Sequence, residues 1–105
     1  MHPDPQQLEE LVRRIVEAVH PLRIILFGSA ARGEMVPGSD VDLLVVMPEG
    51  TDEFETARDL YGRVGGTGVP FDVVVATPGN LERYRETPGF VYREVLRDGR
   101  TIYAA

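Results

Sequence analysis

Three short apolar runs limit what this chain can fold into, because the links between them differ so much in length. They are "LRIILF" (22–27), "VDLLVVM" (41–47) and "PFDVVVA" (70–76). Branched apolar runs of this length, bounded by Gly and Pro, read as strands. Only residues 28–39 join the first two, and that link is spotted with Gly and Pro. A parallel crossover needs about a dozen residues or more, usually with a helix, so these two strands are expected to pair antiparallel. Residues 48–69 join the second and third and contain a full helical pattern, "TDEFETARDLYGRV". That link is long enough for a right-handed parallel crossover.

The remaining segments read as helices. "PQQLEELVRRIVEAV" carries Leu8, Leu11, Val12, Ile15, Val16 and Val19 on one stripe, with Asp4 as N-cap and Pro5 in the first turn. The second helix spans about 52–64, capped by Thr51 or Asp52, with Phe54, Ala57, Leu60, Tyr61 and Val64 expected to face inward. "GGTG" (65–68) breaks it. "TPGNLERYRE" and "GFVYREVLRD" are short helices, the latter closed by Gly99, and "RTIYAA" is a final strand or an ordered tail. The fold class expected is α/β (α+β): a small mixed sheet of three to four strands flanked by helices, forming one domain over residues 1–105.

Composition removes several function classes. The chain has 105 residues, no cysteine and a formal net charge of −6. Disulfides and thiolate metal sites are excluded. The basic residues are all arginine and are scattered, which disfavours stable binding of nucleic acid. No apolar run approaches the roughly 20 residues of a membrane span, and the polar, acidic N-terminus reads as neither a signal peptide nor a transit peptide. The expected location is cytoplasmic.

The functional signal lies in "FGSAARGEMVPGSDVDLL" (27–44). Side chains alternate along a strand, so Asp40 and Asp42 point the same way. With the pairings above, one corner of the sheet would hold Gly28, Ser29, Asp40, Asp42 and Asp72. Three carboxylates on an apolar sheet repel one another and lose hydration, so their pKa values rise or cations compensate them. Oxygen-only clusters suit hard ions such as Mg²⁺, which also bind phosphates. Two such ions can serve phosphoryl chemistry. "SAARG" reads as one helical turn whose N–H groups and Ser29 hydroxyl could hold phosphate oxygens. Gly28 permits close approach of the backbone.

Gly28-Ser29, then residues 30–39, then Asp40-Val41-Asp42 resembles the signature of the DNA polymerase beta-like nucleotidyltransferase superfamily. Asp72 matches the third carboxylate of that signature, on a later strand. The small size and the ending "REVLRDGRTIYAA" resemble the minimal nucleotidyltransferases, partner proteins of HEPN-domain toxins. One departure stands out: many minimal members carry Arg directly after Gly-Ser, and here the residue is Ala30, while Arg32 keeps the second basic position.

The resemblance implies a Mg²⁺-dependent nucleotidyltransferase. It would move a nucleoside monophosphate, AMP from ATP, to a hydroxyl acceptor, a tyrosine of a HEPN-type toxin, and so act as an antitoxin, alone or in a hetero-oligomer with that partner. Asp40 and Asp42 would hold both Mg²⁺ ions. Asp72 would hold the catalytic ion and help deprotonate the acceptor. Gly28 and Ser29 would cradle the β- and γ-phosphates, with Arg32 and Ser39 as further nucleotide contacts. Two rival readings are a binding module that neutralises a toxin by contact, and a nucleotide-sensing domain.

Blander readings attach to each residue. Asp40 can be a turn residue, Asp72 an edge carboxylate, Ser39 a turn or cap, and Arg32 plain surface. "GSAARGE" lacks the Lys-Ser/Thr of a phosphate-binding P-loop. "SDVDLL" lacks the Gly and downstream Glu of a calcium loop. His2 and His20 have no partners at ligand spacing. Phe90, Tyr92, Ile102 and Tyr103 read as core.

Overall fold

The computed structural model describes residues 2–105. Helix α1 (Pro5–Val19) starts where Asp4 Oδ1 accepts hydrogen bonds from the backbone N–H groups of Gln6 (2.9 Å) and Gln7 (3.1 Å), with Pro5 in the first turn. Strand β1 (Arg23–Phe27) runs directly into a one-turn helix, α2 (Gly28–Arg32). Strand β2 (Val41–Val46) is followed by α3 (Glu53–Arg63), capped by Asp52, which accepts from Glu55 N–H at 2.9 Å. Then come β3 (Phe71–Ala76), α4 (Pro78–Arg83), α5 (Tyr92–Asp98) and β4 (Arg100–Ala104).

The four strands form one sheet in the order β3-β2-β1-β4. β1 pairs antiparallel with β2 and β4, and β2 pairs parallel with β3. Both pairings expected from the link lengths are present, and "RTIYAA" is a strand. Strand alternation divides the core between two faces. On one face Ile24, Leu26, Val41, Leu43, Val45, Val73 and Val75 pack against Leu11 and Ile15 of α1, Leu60 of α3 and the adjoining Val64. On the other, Ile25, Phe27, Leu44, Val46 and Ala76 meet Leu81 of α4 and Tyr92 and Val95 of α5. Layers on both faces explain why β2 is almost wholly apolar. Among the described residues, no helix is long and apolar enough to cross a membrane.

Two helix-face expectations need correction. Phe54 is 75% exposed and Tyr61 49% exposed. The stripe of α3 that meets the sheet is Ala57 and Leu60, continued by Val64, and Phe54 in the first turn lies outside it. Phe90 is also exposed, stacked outside the core on Tyr84 (5.0 Å between ring centroids) and Tyr92 (5.9 Å). Tyr92 is buried, and Ile102 and Tyr103 are partly buried against the core.

Candidate active site

The site is built by strand register. In the antiparallel pair, Phe27 lies opposite Asp42; in the parallel pair, Asp42 lies beside Asp72. Paired residues share a face of the sheet, so both carboxylates lie on the face covered by α4 and α5. Asp40 sits just before β2, exposed, with the same strand parity as Asp42.

Gly28 makes the corner. It ends β1 and opens α2 with φ +71°, in the left-handed region that favours glycine. A Cβ at this position would overlap Asp42 Oδ2 and lie 3.3 Å from Asp42 Cγ. The absent side chain is therefore what lets the Asp42 carboxylate rest against the start of α2. Ser29 follows, half-buried. Its carbonyl accepts from Glu34 N–H at 2.8 Å, and its hydroxyl has no hydrogen bond among the described residues.

Burial raises the pKa of half-buried Asp42 above the ordinary aspartate range, and the charges of Asp72, Glu94 and Asp40 push it further in that direction; Arg32 opposes them. The like-charge part of this cost is what a divalent cation would remove. The donor set is all oxygen, so the residues fit a hard ion such as Mg²⁺. Among the described residues, however, no three carboxylate or histidine side chains gather closely enough to hold a metal ion. Asp72 is exposed on edge strand β3, and its Oδ1 accepts a hydrogen bond from the Tyr61 hydroxyl. Tyr61 OH in turn accepts from Val73 N–H at 2.8 Å, and its ring stacks on Phe71 at 5.7 Å.

The two remaining candidates are engaged elsewhere. Arg32 pairs with Glu34 and also reaches Glu94 (3.3 Å) and Asp98 (3.4 Å), joining α2 to α5. Ser39 closes a turn: its Oγ accepts from Val36 N–H at 3.0 Å and its own N–H donates to Val36 O at 2.9 Å. Helical periodicity misses two residues of the corner. It turns Tyr61 toward the core, and the phenolic hydroxyl is the one side-chain atom that hints at another role. Glu94 carried no signal, because its proximity to Asp42 depends on how α5 docks.

The family model for the nucleotidyltransferase domain matches residues 6–102. The chain belongs to this nucleotidyltransferase family. A sequence comparison with curated proteins gives no match. Solved structures share the nucleotidyltransferase fold at low identity. A candidate nucleotidyltransferase from Sulfolobus solfataricus has TM-score 0.64 and 20% identity, over 94% of this chain and 78% of that one. A toxin–antitoxin crystallised with AMP-PNP has TM-score 0.56 and 20% identity, over 98% and 75%. The toxin–antitoxin MntA–HpeT, in a form carrying two Asp→Glu changes, has TM-score 0.53 and 18% identity, over 98% and 75%.

Proposed function

We propose that this chain is an antitoxin that transfers AMP from ATP to a tyrosine hydroxyl of a HEPN-type toxin, releasing pyrophosphate. The observation that carries this reading is the register Phe27–Asp42–Asp72, which sets two carboxylates side by side next to the glycine turn into α2. Family membership supports the reaction class, and the toxin–antitoxin neighbours, one crystallised with AMP-PNP, support the nucleotide and the kind of partner.

Asp40, Asp42 and Asp72 would hold two Mg²⁺ ions. Bound there, the ions would neutralise phosphate charge and lower the pKa of the acceptor hydroxyl. The chain's own residues do the rest. Asp72, on the open edge strand, would take the proton from the incoming tyrosine. The oxygen of that tyrosine would bond to the α-phosphorus as the bond to the β-phosphate oxygen breaks. Gly28 N–H, Ser29 N–H and the Ser29 hydroxyl would hold the β- and γ-phosphates. Arg32 and Ser39 would reach the nucleotide only by leaving their present partners; in this reading the ion pairs of Arg32 chiefly hold α5 beside the site.

One observation favours the contact-antitoxin alternative. Leu22, Phe90 and Leu96 are exposed large apolar residues, and Leu96 lines two hollows, one with Phe90 and the other with Leu22. The deciding experiment incubates the chain with labelled ATP, Mg²⁺ and the product of the adjacent gene, followed by mass spectrometry of both proteins. An AMP adduct on a partner tyrosine supports transfer. Neutralisation of the partner with no adduct supports contact, and ATP binding without pyrophosphate release supports a sensor.

A further inference from the structure

We propose that Tyr61 is a positioning residue for Asp72, an inference that rests on the reading of Asp72 as a metal-binding carboxylate. β3 is the outer strand, so its outward backbone N–H groups lack a neighbouring strand. The Tyr61 hydroxyl occupies that edge: it accepts from Val73 N–H at 2.8 Å and donates to Asp72 Oδ1. The ring is aimed by its stack on Phe71, at 5.7 Å and 9° between planes, and by its place on α3, whose Leu60 is fully buried. One hydroxyl therefore links a fixed backbone atom to a carboxylate that is otherwise exposed on a strand edge. Oδ2 of Asp72 has no hydrogen bond among the described residues, and Asp42 is the register partner of Asp72 on the neighbouring strand.

Carboxylates that bind metals are commonly held by such a second hydrogen bond. Removing the bond typically costs 10–100-fold in metal affinity or activity. Phenylalanine at position 61 keeps the ring and its stack on Phe71 and deletes only the hydroxyl, so Tyr61→Phe isolates the link.

The test measures Mn²⁺ binding by electron paramagnetic resonance in the presence of AMP-PNP. It uses the parent, Tyr61→Phe, Asp72→Asn and the double variant, with steady-state transfer as a second readout. The proposal expects Tyr61→Phe to weaken the looser Mn²⁺ site by about 10–100-fold and to lower kcat with little change in KM for ATP. It expects the change to add nothing in the Asp72→Asn background, because Tyr61 acts only through Asp72. A merely structural tyrosine would lower Tm and leave Mn²⁺ binding at the parental value, which overturns the proposal. Equal effects of Tyr61→Phe with and without Asp72 also overturn it. A parent that binds no Mn²⁺ overturns the metal reading itself, an outcome distinct from a parent that binds normally alongside an unaffected Tyr61→Phe.

Discussion

Replacing Gly28 by alanine tests the corner on which the site is built. An L-residue at φ +71° costs about 1–2 kcal/mol in the left-handed region. The new Cβ would also overlap Asp42 Oδ2. That oxygen ends a short side chain, so it can swing aside at about 0.5–1.5 kcal/mol for an off-rotamer carboxylate. The smaller conformational freedom of alanine in the unfolded chain returns about 0.4–1 kcal/mol. The net loss is roughly 2 kcal/mol, which lowers Tm by roughly 10 °C in a domain of this size. Urea melts of Gly28→Ala, Asp42→Ala and the double variant separate the two contributions. The backbone cost persists in the Asp42→Ala background and the clash does not, so the cycle should show coupling of about 0.5–1.5 kcal/mol. A single-variant loss under about 0.5 kcal/mol would refute the left-handed turn. Additivity within about 0.3 kcal/mol would refute the contact with Asp42.

Three further outcomes follow from the same geometry. Asp42 has a raised pKa in the fold, so its unfavourable contribution is absent below the ordinary aspartate value of about 3.9. That contribution grows as pH rises through the folded value; metal-free Asp42→Asn should therefore melt with the parent in acid and above it at neutral pH, while losing transfer. Asp72→Asn should bind Mg·ATP within about tenfold of the parent, or roughly 1.4 kcal/mol, and lose far more in kcat, because its contribution is made chiefly in the transition state; titration of AMP-PNP and a transfer assay check the two halves. Ser29→Ala should weaken ATP binding by about 1–3 kcal/mol, the scale of one hydrogen bond to a charged group, with Tm nearly unchanged because the hydroxyl has no hydrogen-bond partner among the described residues.

The corner was legible because two link lengths sufficed to set strand direction. A short link between β1 and β2 and a helix-bearing link between β2 and β3 leave Asp42 between Phe27 and Asp72, as the register has it. Gly28 was legible as a close approach, though the atom it accommodates, Asp42 Oδ2, was not. Helical periodicity misassigned Tyr61 and Phe54, since a three-four spacing marks a face without saying how far the sheet extends beneath it. Tyr61 ends at the sheet edge, where its hydroxyl finds Val73 and Asp72. Glu94 and the ion pairs of Arg32 depend on α5 docking against α2, a contact between segments more than 60 residues apart that no local pattern encodes.

The central claim is that the corner of Gly28, Asp40, Asp42 and Asp72 holds a metal-bound nucleoside triphosphate. A crystal of this chain grown with Mn²⁺ and AMP-PNP tests it directly through anomalous difference density. The account predicts a strong manganese peak bonded to the Asp42 carboxylate and to phosphate oxygens, with the outer phosphates against Gly28 and Ser29, and no such peak in Asp42→Asn. Manganese and nucleotide bound elsewhere on the chain, or an unchanged peak in Asp42→Asn, would contradict it.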